Sequence, residues 1–207
     1  MNFELGRNYS VILMSRRPNA PYQDRIEDDG STLIYEGHDA ATTEQTPDPK
    51  RLNQPEKTPR GSLTQNGHFH RAAQAHKEGF RDPERVRVYE KIRDGVWSYN
   101  GMFDLVDSWT EHDGSRNVFK FRLEAAADPA EPSGSEFVYG QRRRIIPTHV
   151  KLEVWKRDHG RCVVCGATSE LHFDHDIPFS KGGTSIVAEN VQLMCARHNL
   201  AKHDKIE

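Results

Sequence analysis

Two ligand doublets, Cys162-x2-Cys165 and Cys195-x2-His198, constrain this chain more than any other feature. A gap of two residues lets both side chains of a doublet turn toward one point from a single tight turn. Two such doublets supply the four tetrahedral ligands of a structural zinc ion. Thiolate and imidazole suit zinc better than magnesium. The chain has three cysteines, all within its last 46 residues, a poor number for disulfides and a good one for a Cys3His site. Buried or redox-active cysteines are the alternative reading. Zinc alone says nothing of catalysis, since a passive DNA-binding module would carry it equally well.

The segment around the doublets needs such a staple. It spans about 65 residues, too few for an apolar core to hold by itself. Pro147 to Asp158 reads as a helix, with Pro147 at the first turn, where its missing N–H costs nothing, and Val150, Val154 and Trp155 on one face. His159-Gly160 ends it. A strand at Leu171–Asp174, a Lys-Gly-Gly loop and a last helix from about Ala196 follow.

Net charge is −2, at first sight a poor match to nucleic acid. The split by segment changes that. Residues 1–140 carry 18 Lys+Arg against 23 Asp+Glu, whereas residues 141–207 carry 11 against 8. Phosphate binding needs a local basic patch and not a basic chain. Arg142, Arg143 and Arg144 are candidate DNA contacts, with a solvated linker as the alternative. No apolar run approaches the ~20 residues of a transmembrane helix. The first residues lack a secretory pattern, because Arg16 and Arg17 follow the apolar run instead of preceding it. The expected location is cytoplasmic.

Between the doublets lie Asp174-His175, Ser180-Lys181-Gly182-Gly183 and Asn190, and after them Asn199 and Lys202. In this order the residues resemble the ββα-metal core of HNH endonucleases, with His198 replacing the last cysteine of the zinc-bearing members. The resemblance implies roles. Asp174 and Asn199 would bind a catalytic Mg²⁺ or Mn²⁺, and His175 would activate water. Asn190 would hold the loop that orients His175, and Lys202 would meet a phosphate or the leaving oxygen. The chemistry agrees. Phosphodiester hydrolysis needs an activated water and a cation beside the phosphate, and a neutral imidazole is a suitable base at pH 7. Neighbours on a strand point to opposite faces, so Asp174 and His175 need a strand end to serve one site.

The preceding segment reads differently. Strand patterning appears at Tyr9–Met14, Thr32–Tyr35, Arg85–Tyr89, Gly101–Trp109 and Asn117–Leu123, with His112-Asp113-Gly114 as a turn and His68–Lys77 as the one helix. Ala40 to Gly67 and Ala127 to Gly140 read as loops. The expectation is a twisted barrel or half-barrel.

Tyr9-Ser10-Val11-Ile12-Leu13, Tyr22-Gln23-Asp24, Leu33-Ile34-Tyr35-Glu36-Gly37, Arg85-Val86-Arg87-Val88, Tyr99-Asn100-Gly101 and Phe119-Lys120-Phe121-Arg122-Leu123 resemble an SRA domain. That is the PUA-like fold that flips a modified cytosine out of duplex DNA. The chain departs from that pattern at Asn100 (usually Asp), at Arg25 (where the base-reading Asp falls) and at Glu36 (usually Thr). The resemblance implies a base pocket of Tyr22, Asp24, Tyr35 and Glu36. The tyrosines would stack on the base and Asp24 would accept from its amine. Asn66, in Thr64-Gln65-Asn66-Gly67, would tip a loop entering the groove; a solvated loop, and half-buried strand tyrosines, are the alternatives.

The expectation is thus an α+β chain: an SRA-like reader over 1–126, a linker over 127–146 and an HNH domain over 147–207. It would recognise 5-methylcytosine or a similar base in double-stranded DNA and hydrolyse the backbone, as a homodimer if both strands are cut. The alternatives are an HNH nickase indifferent to modification and a non-catalytic zinc-stabilised reader.

Overall fold

The computed structural model describes residues 1–202 apart from 7, 28–29, 45, 127–144 and 179–180. Arg142, Arg143, Arg144 and Ser180 therefore lie outside the described residues, as do Asp28 and Asp29. The molecule is α+β. Counting described residues only, two compact units emerge: residues 1–27, 32–91 and 101–126 form the first, and residues 30–31, 92–100 and 145–202 form the second. Among the described residues, no helix is long and apolar enough to cross a membrane.

Seven of the described strands form one sheet in the order β1-β2-β5-β6-β7-β4-β3, which apart from residues 92–100 belongs to the first unit. Its strands are β1 (Asn2–Gly6), β2 (Tyr9–Met14), β3 (Arg25–Ile26), β4 (Thr32–Glu36), β5 (Glu84–Arg93), β6 (Val96–His112) and β7 (Asn117–Ala125). β2 and β5 pair in parallel, and β4 and β6 both pair antiparallel with β7. β5 alternates strictly, burying Val86, Val88, Glu90 and Ile92 and turning Arg85 and Arg93 outward. β4 is buried at every position, as a short continuous apolar run can be when both faces are covered. The Asp113 carboxylate closes the β6–β7 turn, accepting from the Ser115 and Arg116 amides at 2.8 and 3.0 Å.

Helix α1 (Gln65–Lys77) starts three residues before the expected position. Thr64 caps it, its Oγ1 accepting from Gly67 N at 3.2 Å. The Asn66 expectation is thereby corrected. It sits in the first helical turn and not on a loop tip, is 2 % exposed, and spends its amide on the His38 and Pro55 backbone. It has no face for a DNA groove. Phe69, Ala72 and Ala73 bury the helix, Phe69 meeting Phe121 edge-on at 5.9 Å.

In the second unit, α2 (Thr148–Arg157) lies over the hairpin of β8 (Leu171–His175) and β9 (Val191–Cys195), and α3 (Ala196–Lys202) follows β9 directly. Pro147 is the N-cap residue and not a first-turn residue. Ile146, Val150, Val154, Ala188, Val191 and Leu193 form the core, with Trp155, Leu171 and Phe173 packed on it. Arg157 fastens α2 to the hairpin, donating to Ala188 O and Val191 O, both at 2.7 Å. Asp158 accepts from Leu193 N at 2.9 Å. The ββα resemblance implies a second strand, and β9 gives it its range.

Candidate metal centre and catalytic residues

Cys162, Cys165, Cys195 and His198 converge, their ligand atoms all within 4.8 Å of one another. The first doublet sits on a tight turn closed by Gly166 N donating to Cys162 O and by Cys162 N donating to Ala167 O. The second spans the end of β9 and the first turn of α3. Sγ of Cys162 and of Cys195 lie 3.4 and 3.3 Å from His198 Nδ1, and Cys165 Sγ lies 3.9 Å from Cys195 Sγ. A tetrahedron with Zn–S of ~2.3 Å and Zn–N of ~2.0–2.1 Å has edges of roughly 3.5–3.8 Å. The donor set and its spacing therefore fit zinc. Burial by itself pushes the Cys162 thiol up, but backbone amides of Cys195, Cys165 and Val164 and the His198 ring outweigh it, bringing the thiol down to about 6 and favouring the thiolate a metal requires.

Asp174 and His175 end β8, in regular register opposite Gln192 and Val191. The alternation of the strand separates them. Asp174 meets Lys202 of α3, whose Nζ donates to Asp174 Oδ2 at 2.6 Å and also to the His175 carbonyl. Lys202 is 1 % exposed, so its ammonium faces these two groups and not solvent. His175 turns to the following loop, with Nε2 2.7 Å from Ser185 Oγ. Burial holds the His175 pKa below the ordinary 6.5; Asp174 raises it and Lys202 lowers it. The ring is accordingly neutral at pH 7. Asn199 stands one turn before Lys202 on α3, half-buried, with no hydrogen bond from its amide among the described residues. Asn190 ties the loop after β8 together. Its Oδ1 accepts from Ile177 N at 2.8 Å, and its Nδ2 donates to Ile177 O and Thr184 O at 3.2 and 2.9 Å.

In the first unit, Tyr22, Asp24, Tyr35 and Glu36 also come together, around His38. Tyr22 is half-buried, stacked on the His38 ring at 5.5 Å and 19°, with Lys50 Nζ 4.2 Å from its centroid. Tyr35 is fully buried, so its ring presents no open face; its hydroxyl lies 2.8 Å from His38 Nε2. The Asp24 carboxylate accepts from Ser15 N and Glu36 N at 3.1 and 3.0 Å. Burial raises its pKa to about 6, against those two amides. Burial, assisted by the nearby N-terminal ammonium, lowers that of His38 to about 4. Glu36 accepts from Gln23 N at 3.1 Å and pairs with Lys120 at 2.9 Å. Arg116 pairs with Asp39 at 2.6 Å beside them.

Zinc doublets, a strand-end Asp-His and a helix bearing Asn199 form one continuous sequence block. Residues 162–205 match the HNH endonuclease family. Among solved structures, the chain is similar to the SUVH5 SRA domain in complex with hemi-methylated CG DNA, at 22% identity and a TM-score of 0.39, over 61% of this chain and 69% of that one. It is also similar to SUVH5 SRA bound to fully hydroxymethylated CG DNA, at 21% identity and a TM-score of 0.37, over 60% and 68%. A third is KRYPTONITE in complex with mCHH DNA, H3(1-15) peptide and SAH, at 16% identity and a TM-score of 0.35, over 64% of this chain and 25% of that one. No curated protein matches the chain.

Within the HNH segment the structure adds Ser185, which touches His175 and had no signal in the sequence beyond its place after the Lys-Gly-Gly loop. In the first unit it adds His38, Lys120 and Arg116. Glu36 and Lys120 are register partners across β4 and β7, 84 residues apart, a pairing that no local pattern announces.

Proposed function

We propose that this chain is a metal-dependent DNA endonuclease in which the HNH segment hydrolyses the phosphodiester backbone and the first unit reads modified cytosine in duplex DNA. The observation that carries the nuclease reading is the placement of α3. One short helix bears both the zinc-doublet residue His198 and Asn199, and its Lys202 reaches Asp174 at the end of β8. The zinc cluster thus fixes the helix against the strand end that holds the candidate base.

Asp174 and Asn199 offer oxygen donors of the kind that hold Mg²⁺ or Mn²⁺. The bound cation supplies neutralisation of charge on the phosphate and leaving oxygen. His175, neutral at pH 7, takes the proton of the attacking water. The tautomer in which Nε2 donates to Ser185 Oγ leaves Nδ1 as the basic atom. Lys202 holds the Asp174 carboxylate and the His175 carbonyl, so the two neighbours keep one geometry despite facing opposite sides of the strand. One such site cuts one strand, so a double-strand break takes two copies of the chain.

For the reader, the supporting feature is the gathering of Tyr22, Asp24, Tyr35 and Glu36 from separate strands and loops. Tyr22 is the stacking face in this reading, because Tyr35 is enclosed. A base placed there displaces Lys50, whose side chain is 45% exposed and pairs with Asp39 at 2.9 Å. The test is digestion of matched duplexes, with and without 5-methylcytosine, in Mg²⁺ or Mn²⁺. Faster cleavage of the modified duplex is expected. Equal cleavage removes the reader and leaves a nuclease without modification specificity, and no cleavage of either with any divalent ion removes the nuclease.

A further inference from the structure

We propose that Ser185 is a positioning residue for His175, fixing the plane and tautomer of the ring, and that Gly183 and Asn190 fold the chain so as to bring it there. The proposal rests on the reading of His175 as the base. An imidazole at the end of a strand rotates about χ2 and exists in two neutral tautomers, only one of which leaves a given nitrogen basic. The 2.7 Å contact from His175 Nε2 to Ser185 Oγ fixes the ring plane, and the tautomer follows from which of the two groups donates; in this proposal Nε2–H donates to Oγ. Ser185 is completely buried, so water does not compete for the contact.

The backbone route to Ser185 is specific. Asp176 N donates to Asn190 O at 2.9 Å, and the Asn190 side chain clamps Ile177 and Thr184 from the other side. Gly183 N donates to Pro178 O at 3.1 Å as the chain doubles back. A Cβ on Gly183 would lie 1.8 Å from Ile177 O and 2.8 Å from Asn190 Nδ2. Backbone cannot yield that much, so any side chain at 183 pushes the return strand, and Ser185 with it, off the ring. Glycine at 183, asparagine at 190 and serine at 185 thus serve one end: a hydroxyl placed against the candidate base.

The test uses the zinc-loaded full chain labelled with ¹⁵N-histidine. Long-range ¹H–¹⁵N correlations of the neutral His175 ring should show a single tautomer with the proton on Nε2. Ser185→Ala should give a mixture, and Ser185→Thr should restore the single form. In parallel, kcat for DNA cleavage should fall roughly ten- to hundredfold in Ser185→Ala, the cost of a misplaced group, with KM for the duplex unchanged and with recovery in Ser185→Thr. A wild-type ring protonated on Nδ1, or a Ser185→Ala protein with unchanged tautomer and a kcat within twofold of wild type, overturns the proposal. The wild-type tautomer needs no variant, so it decides even if Ser185→Ala does not fold. A wild type that cleaves no duplex overturns the nuclease reading separately, and the tautomer comparison still decides what Ser185 does.

Discussion

The two clusters of this molecule are built on opposite principles. In the Cys3His cluster the four ligand atoms lie within 4.8 Å of one another, with pairs at 3.3, 3.4 and 3.9 Å, and thiol and imidazole donors grouped in this way suit a zinc ion. In the Tyr22–Asp24–Tyr35–Glu36 cluster, described polar atoms already have protein partners: two amides on Asp24, an amide and Lys120 on Glu36, and His38 on Tyr35. The first arrangement is a donor set that suits a metal ion. The second is self-sufficient, and a ligand has to exchange contacts with it. The difference teaches where stability is expected to come from: an ion in the Cys3His cluster, and a seven-stranded sheet with buried ion pairs in the first unit.

The sharpest break of that comparison is removal of zinc. Structural zinc sites contribute apparent binding energies of about 10–16 kcal/mol to small domains. Cys162→Ser, or a strong chelator, should therefore unfold residues 162–202 while the sheet of the first unit persists. Hydrogen exchange should show lost protection in β9 and α3 and intact protection in β2, β5 and β7. Uniform protection in the metal-free protein would show that the small apolar core suffices.

The converse change is Tyr35→Ala. Removing a fully buried aromatic costs about 3–5 kcal/mol. Denaturant unfolding of the first unit should shift by that much, with zinc content unchanged. A loss below about 1 kcal/mol would mean that the ring is less enclosed than its burial implies.

A smaller effect is linked to pH. Stability changes with pH as the protons bound by the unfolded state minus those bound by the folded state. Asp24, raised from 3.8 to about 6, binds its proton more readily when folded, so its contribution falls as pH rises through that window. His38, lowered from 6.5 to about 4, does the reverse, and its contribution is lost as pH falls from 6.5 toward 4. Each is worth at most roughly 3 kcal/mol, less for the part solvent screens. They oppose each other in the wild type. Asp24→Asn should leave a stability that rises with pH between about 4 and 6, and His38→Gln one that falls; parallel curves for all three proteins would refute the linkage.

The smallest effect belongs to the base pocket proposed for the first unit. Tyr22→Ala should remove stacking worth roughly 1–3 kcal/mol and flatten the preference for a modified duplex in an equilibrium titration. An unchanged preference would move the stacking face elsewhere.

The same contrast explains how much was legible in the sequence. The zinc doublets were readable because each is local: two ligands three residues apart on one turn. β2 was read with its observed bounds from six consecutive residues. β9 carries no range in the sequence because Val191-Gln192-Leu193-Met194-Cys195 is only five residues long and ends in a metal-ligand doublet, so the ββα resemblance implies the strand without locating it. Asn66-Gly67 resembles a turn, and only the cap from Thr64 turns it into a helix start. Lys202 on Asp174, Ser185 on His175 and Lys120 on Glu36 are tertiary choices. Composition permits them, but no periodicity specifies them.

The most direct measurement compares wild type and His175→Ala on one duplex with Mg²⁺ or Mn²⁺, recording both cleavage rate and DNA affinity. A general base acts in the transition state and adds little to ground-state binding. The variant should bind DNA as the wild type does, keep its zinc, and cleave at least ~10²-fold more slowly. Cleavage by His175→Ala within a few-fold of wild type would contradict the assignment of this HNH site.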